Sequence, residues 1–328
     1  MIEEEEENNV HQYEDGLLRV GNSEISAWSQ CRRKWWLSYY VGLTDKEPKL
    51  YGALALGTRV HAALEGYYRK LMAGDTSADL IKIHSGLVEA DRLELIMGGY
   101  SEGDLDKDAD LGRVMLEDFL QWQEEDALDA GLDIIGVEHS LSHVLVDGRA
   151  VLSGKIDLMA VDKFTQVPHM IDWKTAANFQ SLLTTAHMAP QLKTYVALYA
   201  MNHPDLPESA LAGTYRILKK SKRTARALPP FHMEHTVRFN REALNNHLTN
   251  LASKIEEIVA TRDKLDAGSK HQQVVPPTVS SLCNWACPFL AICPMFDDGS
   301  AVQDAIDERY VTRDPYDYRQ SDSLLDML

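Results

Sequence analysis

Two carboxylates and a lysine, Asp157, Asp172 and Lys174, interrupt apolar runs that otherwise read as β-strands: Gly154-Lys155-Ile156-Asp157 and Ile171-Asp172-Trp173-Lys174. Charge in such a strand costs several kcal/mol unless it is paired or holds a ligand. Paired carboxylates offer oxygen ligands to Mg²⁺ or Mn²⁺, and a cation so held acidifies a water and polarises a phosphoryl oxygen. A nearby lysine can orient that water or neutralise developing charge. The competing reading is structural, a salt bridge of Asp172 with Lys174 or of Asp157 with Lys155. A second set of candidate ligands is the four cysteines, Cys31, Cys283, Cys287 and Cys293, the last three spaced C-x3-C-x5-C. In an unsecreted chain such a set favours metal binding over disulfides. Four thiolates suit Zn²⁺ or a [4Fe-4S] cluster, and Cys293-Pro294 has the Cys-Pro form that closes ferredoxin-type runs.

The elements that must position these residues can be placed from periodicity. Residues 134–175 read as three strands, the first two joined at Asp147-Gly148, a strong hairpin signal, and the next two by a polar turn ending at Pro168. Counting outward from Asp147-Gly148 sets Glu138 opposite Asp157. Counting outward from a turn centred between Phe164 and Thr165 sets Asp157 opposite Asp172. Opposed residues share a sheet face at roughly 5 Å, where two carboxylates repel unless a cation sits between them. Lys174 joins that face by alternation. Helices are expected from Ser23, over 58–72 with His61 and Glu65 beside its apolar stripe, over 106–129, from Pro190, and from an Asn240 cap to about Ala267. Strands are expected over 211–218 and 231–239. Helices, three strands, a helix and a strand argue for a mixed α/β or α+β domain with one central sheet.

Of the 328 residues, 45% are hydrophobic, enough for an enzyme-sized core, and no run approaches a membrane span, so a soluble, cytoplasmic protein is the expectation. The net charge of −17 argues against a nucleic-acid binder until its distribution is read. Most of it lies at the ends: residues 1–15 hold acids and no Lys or Arg, and residues 297–328 are also strongly acidic. The middle is nearly neutral, with basic runs at Arg32-Arg33-Lys34 and across Lys219, Lys220, Lys222, Arg223 and Arg226 that could touch phosphates or form solvated loops. Trp35, Trp36, Tyr39 and Tyr40 beside the first run could stack bases or fill a core. The expected divisions are an acidic arm (1–20), a helical region with Cys31 and His61 (21–130), a core sheet (131–240), a C-terminal helix with the three-cysteine segment (241–296) and an acidic, flexible tail (297–328).

Asp157, Asp172-Trp173-Lys174 and Gln191-Leu192-Lys193-Thr194-Tyr195 resemble the PD-(D/E)XK nuclease superfamily in its RecB-like branch, with a Q-x3-Y helix. Gly57-Thr58-Arg59-Val60-His61 resembles that branch's G-x3-H helix. Cysteines arranged one plus three around the nuclease core resemble the iron-sulfur nucleases of this superfamily, most of all the CRISPR-associated protein 4 type, which includes stand-alone phage exonucleases, and the resemblance covers about residues 21–296. The first gap in the trio is three residues where that group usually has two.

The resemblance implies a restriction-endonuclease-like αβββαβ core with flanking helices and a metal-clamped helical region. It implies His61, Asp157 and Asp172 as ligands of Mg²⁺ or Mn²⁺, Lys174 as catalytic lysine, and Gln191 and Tyr195 as site-bracing or DNA-contacting residues. Glu138 enters from the strand count alone, as a residue near the metal. The implied activity is a DNA exonuclease with a [4Fe-4S] cluster, or zinc, on Cys31, Cys283, Cys287 and Cys293. It would act on single-stranded ends, 5′ to 3′, in recombination, repair or processing, with a helicase, recombinase or integrase as partner and no membrane. The alternatives are a catalytically silent module that binds DNA ends and a nuclease acting on RNA. The acidic ends are expected to act as autoinhibitory or partner-binding segments.

Overall fold

The computed structural model describes residues 16–146 and 148–316. The acidic arm at 1–15, Asp147 of the expected hairpin and residues 317–328 lie outside the described residues. In chain order the elements are β1 (Leu18–Gly21), α1 (Asn22–Gln30), α2 (Arg32–Trp35), β2 (Leu43–Asp45), α3 (Ala53–Met72), α4 (Leu80–Met97) and α5 (Leu105–Glu125). Then follow β3 (Leu132–Val146), β4 (Ala150–Asp162), β5 (Pro168–Ala176), α6 (Phe179–Thr185), α7 (Pro190–Asn202), β6 (Ala212–Lys219) and β7 (His232–Arg238). The chain closes with α8 (Arg241–Asp266), α9 (His271–Val274), α10 (Met295–Asp298), α11 (Val302–Arg309) and β8 (Tyr310–Thr312). No helix among the described residues is long and apolar enough to cross a membrane. The described residues divide into two compact units, one holding 16–47, Ser142–Ser153 and 248–316, the other Pro48–Leu141 and Gly154–His247.

The second unit carries a mixed sheet in which β4 pairs antiparallel with β5, β5 parallel with β6 and β6 antiparallel with β7, while β3 flanks β4. The turn between β4 and β5 is fixed by Asp162, whose carboxylate accepts from the backbone N–H groups of Phe164 (2.9 Å) and Thr165 (2.7 Å). That aspartate turn sets the register expected from the sequence, with Leu158 opposite Ile171 and Val161 opposite Pro168. The parallel step from β5 to β6 requires a crossover, which α6 and α7 supply. Asn178 caps α6 by accepting from the Gln180 N–H (2.9 Å), and Pro190 occupies the first turn of α7, where its missing N–H costs nothing. Helix α7 comes close to β6 because Gly213 has no side chain: a Cβ there would lie 2.5 Å from Leu192 Cδ1.

Leu56, Val60 and Leu64 of α3 and Met115, Phe119 and Trp122 of α5 bury against Leu158, Ile171, Trp173 and Leu218. Burial of each large apolar chain stabilises the fold by roughly 1.5–3 kcal/mol. Helix α4, which the sequence reading did not separate, packs Leu80 and Leu87 into the same cluster.

In the first unit, β1 pairs in parallel with the opening residues of β4, Leu18 opposite Ala150, and β2 pairs antiparallel with β8. Of the aromatics expected as base-stacking or core residues, Trp35 falls to the core, and Trp36, Tyr39 and Tyr40 are half-buried and held by protein partners. Trp35 is fully buried, edge-on to Trp28 at 4.8 Å, and its Nε1 donates to Glu24 (3.0 Å). Trp36 packs edge-on against His271 and Phe296, Tyr39 lies against Tyr316, and Tyr40 donates to Asp266 (2.6 Å). The neighbouring basic run is engaged as well, Arg32 with Glu257 (2.8 Å) and the buried Arg33 with Asp297 (3.0 Å). Residues 297–316, expected as the start of a flexible tail, form part of α10, α11 and β8, and the Tyr316 hydroxyl donates to the buried Glu24 (2.7 Å). Apolar Val302, Ile306 and Tyr310, spaced among the acids, pack on Leu37, Phe289 and Ile292 and outweigh the polarity of the segment.

Candidate active site

Asp172 is completely buried in the middle of the second unit's sheet, and neither of its carboxylate oxygens has a hydrogen-bond partner. Lys174 Nζ stands 2.5 Å from Asp172 Oδ2, an ion pair without hydrogen-bond alignment. The β4–β5 register, continued by one residue beyond Leu158 and Ile171, brings Asp157 opposite Asp172. Asp157 does not leave the ladder idle: its Oδ2 accepts the backbone N–H of Trp173 at 2.7 Å. His61, from the middle of α3, places Nδ1 3.3 Å from the same oxygen. Lys174 donates to Gln191 Oε1 (2.9 Å), and Gln191 Nε2 reaches the Tyr195 hydroxyl (2.9 Å), so the first turns of α7 brace the lysine. The Tyr195 ring fits because position 154 is glycine, where a Cβ would lie 2.9 Å from Cε1.

The electrostatics follow from two acids sharing a buried site. Burial pushes Asp172 up to about 6, with the Asp157 charge adding to the rise and Lys174 opposing it. Burial pushes Asp157 upward too, but its hydrogen bond to His61, the His61 and Lys174 charges and the Trp173 N–H outweigh that and hold it below the usual carboxylate range. Burial alone would lower His61; Asp157 reverses the sign and raises it. Burial and the negative charge of Asp172 lift the Tyr195 phenol well above its ordinary range, keeping it a neutral hydrogen-bonding group.

Glu138 also reaches the site. Its backbone is left-handed (φ 49°) inside β3, a strained conformation for a residue with a side chain. Its carboxylate lies 3.7 Å from Lys155 Nζ and is pushed up to about 7 by burial, Asp157 and Glu65. Glu65, one turn after His61 on α3, is the acid that the sequence reading named only as a neighbour of the helix stripe. Its spacing from His61 was the available signal.

All seven candidates of the carboxylate set, His61, Glu138, Asp157, Asp172, Lys174, Gln191 and Tyr195, are therefore gathered by contacts or by mutual charge. Among the described residues, no group of three or more His, Cys, Asp or Glu side chains is placed to hold a metal ion. The donor chemistry nevertheless suits a hard cation: unpartnered buried oxygens on Asp172, a second carboxylate across the ladder, and a positive charge, His61 or Lys174, standing beside each acid.

The four cysteines meet in the first unit, all lining one cavity of about 580 Å³ together with Arg33, Leu37, Phe289 and Thr278. None forms a disulfide. Cys31 Sγ accepts the Thr278 N–H at 3.3 Å. Burial raises the Cys293 thiol, the Arg33 charge opposes that rise, and the charges of Cys31 and Cys287 reinforce it.

Residues 19–294 match the description of the PD-(D/E)XK nuclease superfamily. The chain belongs to this superfamily. About half of the matched span is needed to assemble the site, since His61 and Tyr195 come from helices far apart in sequence. PD-(D/E)XK nucleases usually use Mg²⁺ or Mn²⁺. No curated protein matches the chain. A crystal structure of a protein from Eubacterium rectale named "Putative exonuclease" superposes with a TM-score of 0.42 at 10% identity, covering 81% of this chain and 92% of that one.

Proposed function

We propose that this PD-(D/E)XK protein is a metal-dependent deoxyribonuclease of the RecB-like, CRISPR-associated protein 4 type that shortens single-stranded DNA from its ends, 5′ to 3′. The observation that carries the reading is the fully buried carboxylate of Asp172, with Lys174 at 2.5 Å and the Asp157 charge acting on it. Burying two acids together is costly, and a phosphodiester-cleaving site offsets that cost with a cation.

Asp157 and Asp172, with His61 and Glu138 at the margin, would hold Mg²⁺ or Mn²⁺. When bound, the cation supplies an acidified water and a polarised phosphoryl oxygen. The chain's own groups set the geometry. The Trp173 N–H fixes the Asp157 carboxylate, so one acid is positioned by the main chain. The Gln191 carbonyl oxygen holds Lys174 and the Tyr195 hydroxyl holds Gln191, which aims the ammonium along the carboxylate edge. There Lys174 orients the attacking water and stabilises the extra negative charge as the new P–O bond forms and the 3′-oxygen leaves.

Cys31, Cys283, Cys287 and Cys293 all line one cavity and none is in a disulfide. That supports a [4Fe-4S] cluster on the four, or zinc as the alternative. Its role would be to join the N-terminal helix to the C-terminal segment, within a protein of recombination, repair or DNA processing that works beside a helicase, recombinase or integrase.

The test uses full-length protein purified without oxygen. Its visible absorbance is recorded, and it is then given Mn²⁺ with end-labelled single-stranded DNA or RNA, beside Lys174→Ala. Release of nucleotides from the 5′ end of DNA by the wild type, lost in Lys174→Ala, is expected. Binding of ends without release would leave a silent end-binding module, and preference for the RNA arm would replace the substrate.

A further inference from the structure

The basic run Arg32-Arg33-Lys34 does not act as one patch. Arg32 turns outward, paired with Glu257 (2.8 Å) and lying over the Trp28 ring at 3.6 Å, and Lys34 is bonded to Gln30 (3.2 Å). Arg33, between them, is buried in the wall of the cavity that the four cysteines line. A buried guanidinium is costly unless its donors are used and its charge is matched.

The donors are used. Nε donates to the Val275 carbonyl (3.1 Å), Nη1 to the Cys293 carbonyl (3.4 Å) and to Asp297 Oδ2 (3.4 Å), and Nη2 to Asp297 Oδ1 (3.0 Å). The charge is matched less well. Two of the three partners are neutral carbonyls, and the one acid, Asp297, is half-exposed, so water and salt screen part of its charge. The uncompensated remainder stands beside thiols, two residues beyond Cys31 and bonded to the main chain of Cys293. Cysteines bind a metal or a cluster as thiolates, and four thiolates on a [4Fe-4S] core leave a net negative charge in the cavity. A buried guanidinium in its wall is the complement of that charge.

We infer that Arg33 is the counter-charge and positioning residue of the cysteine site: it holds the Cys293 main chain in place and offsets the negative charge of the thiolate-bound cluster, and so sets the cluster's reduction potential. This rests on the cluster reading above. Potentials of such clusters follow the net charge and hydrogen bonding around them. The competing role for Arg33 is purely structural, a tie from α2 to residues 275–297.

The two roles separate in the potential. Full-length protein purified without oxygen is titrated with dithionite and the midpoint read from the visible absorbance, for the wild type, Arg33→Met, Arg33→Lys, Asp297→Asn and the control Arg32→Gln. Loss of iron to a chelator is followed alongside. Arg33→Met should make the equilibrium constant for one-electron reduction smaller on the order of tenfold, a midpoint about 59 mV lower. Arg33→Lys keeps the charge but not the fork onto the Cys293 carbonyl, so its midpoint should stay near the wild type while iron is lost faster. Asp297→Asn should move the midpoint upward by a smaller amount, and Arg32→Gln should leave it in place. A tie alone gives faster iron loss in both Arg33 variants with every midpoint unmoved; that result overturns the inference and leaves the cluster reading intact. If Arg33→Met does not fold, Asp297→Asn decides, and the absence of an upward shift there overturns the inference. Wild-type protein that is colourless, or that holds zinc on its cysteines, removes both.

Discussion

The carboxylates and the cysteines are held by different kinds of backbone. Asp157, Asp172 and Lys174 sit on paired strands whose ladder fixes each position, and cationic side chains of the same unit already stand beside both acids. The cysteines sit between α1 and α2, in a 3₁₀ turn at Ser281–Asn284 and in the turns before α10, with little regular pairing to hold them. A site built on strands is shaped before its ligand arrives; one built on turns depends on whatever its thiols bind. The two regions should therefore respond oppositely to loss of their ligands.

The largest effect is expected at the thiols. Cys31→Ser or Cys283→Ser, or removal of the bound metal, should cost several kcal/mol and abolish the cooperative melting of the cysteine-bearing unit followed by circular dichroism. A cysteine variant that melts normally yet has lost cleavage would break the comparison. Next comes Asp172→Asn, which should reduce cleavage on the order of 10³-fold with little change in thermal stability, because the desolvation cost of the buried carboxylate goes together with its ion pair to Lys174, which stays partly exposed and bonded to Gln191. A large drop in melting temperature would mean that the strand site, too, depends on its charges for its shape.

Acid should act on the carboxylate-bearing unit through His84. This imidazole is buried against Gly112 and its Nε2 has no partner, and burial, aided by the charges of Arg59 and Arg113, pushes it down to about 4. The unfolded chain takes up the proton first, near pH 6.5. Stability is thus fully present above that pH and is lost as pH falls towards 4, a contribution of roughly 3 kcal/mol. Urea unfolding at pH 7 and pH 4.5 should show this loss in the wild type and a smaller one in His84→Leu. The smallest effect concerns the acidic ends. Deleting residues 1–15 and 317–328 removes mostly negative charge and should tighten single-stranded DNA binding a few-fold at low salt, with the gain vanishing at high salt. Unchanged affinity at low salt would sink the autoinhibitory role.

Much of the strand site was legible because a β-hairpin register is arithmetic. A turn closed by Asp162 places Asp157 and Asp172 across from one another, and alternation puts Lys174 on their face. The left-handed backbone of Glu138 inside β3 was not legible, because counting residues cannot see a local φ. Helix α4 escaped notice because Leu93, Ile96 and Met97 are exposed and blur its apolar stripe. The acidic segment from 297 read as a tail because charge masked the spacing of Val302, Ile306 and Tyr310. The pairing of Lys222 with Asp110 and of Arg223 with Asp118 could not be read at all, since it depends on acids of α5 more than a hundred residues earlier.

Trp173 lies between the two site residues of its strand and faces both ways. Its ring packs edge-on to Phe119 at 5.1 Å and lies near Tyr68, deep in the helical layer, while its N–H holds Asp157. The same residue thus links the integrity of the apolar layer to the aim of the Asp157 carboxylate. Loosening α5, by a truncation such as Phe119→Ala, would let the strand shift and turn the carboxylate before the unit unfolds. Such a protein would be heat-sensitive in activity at temperatures where its global structure still looks intact.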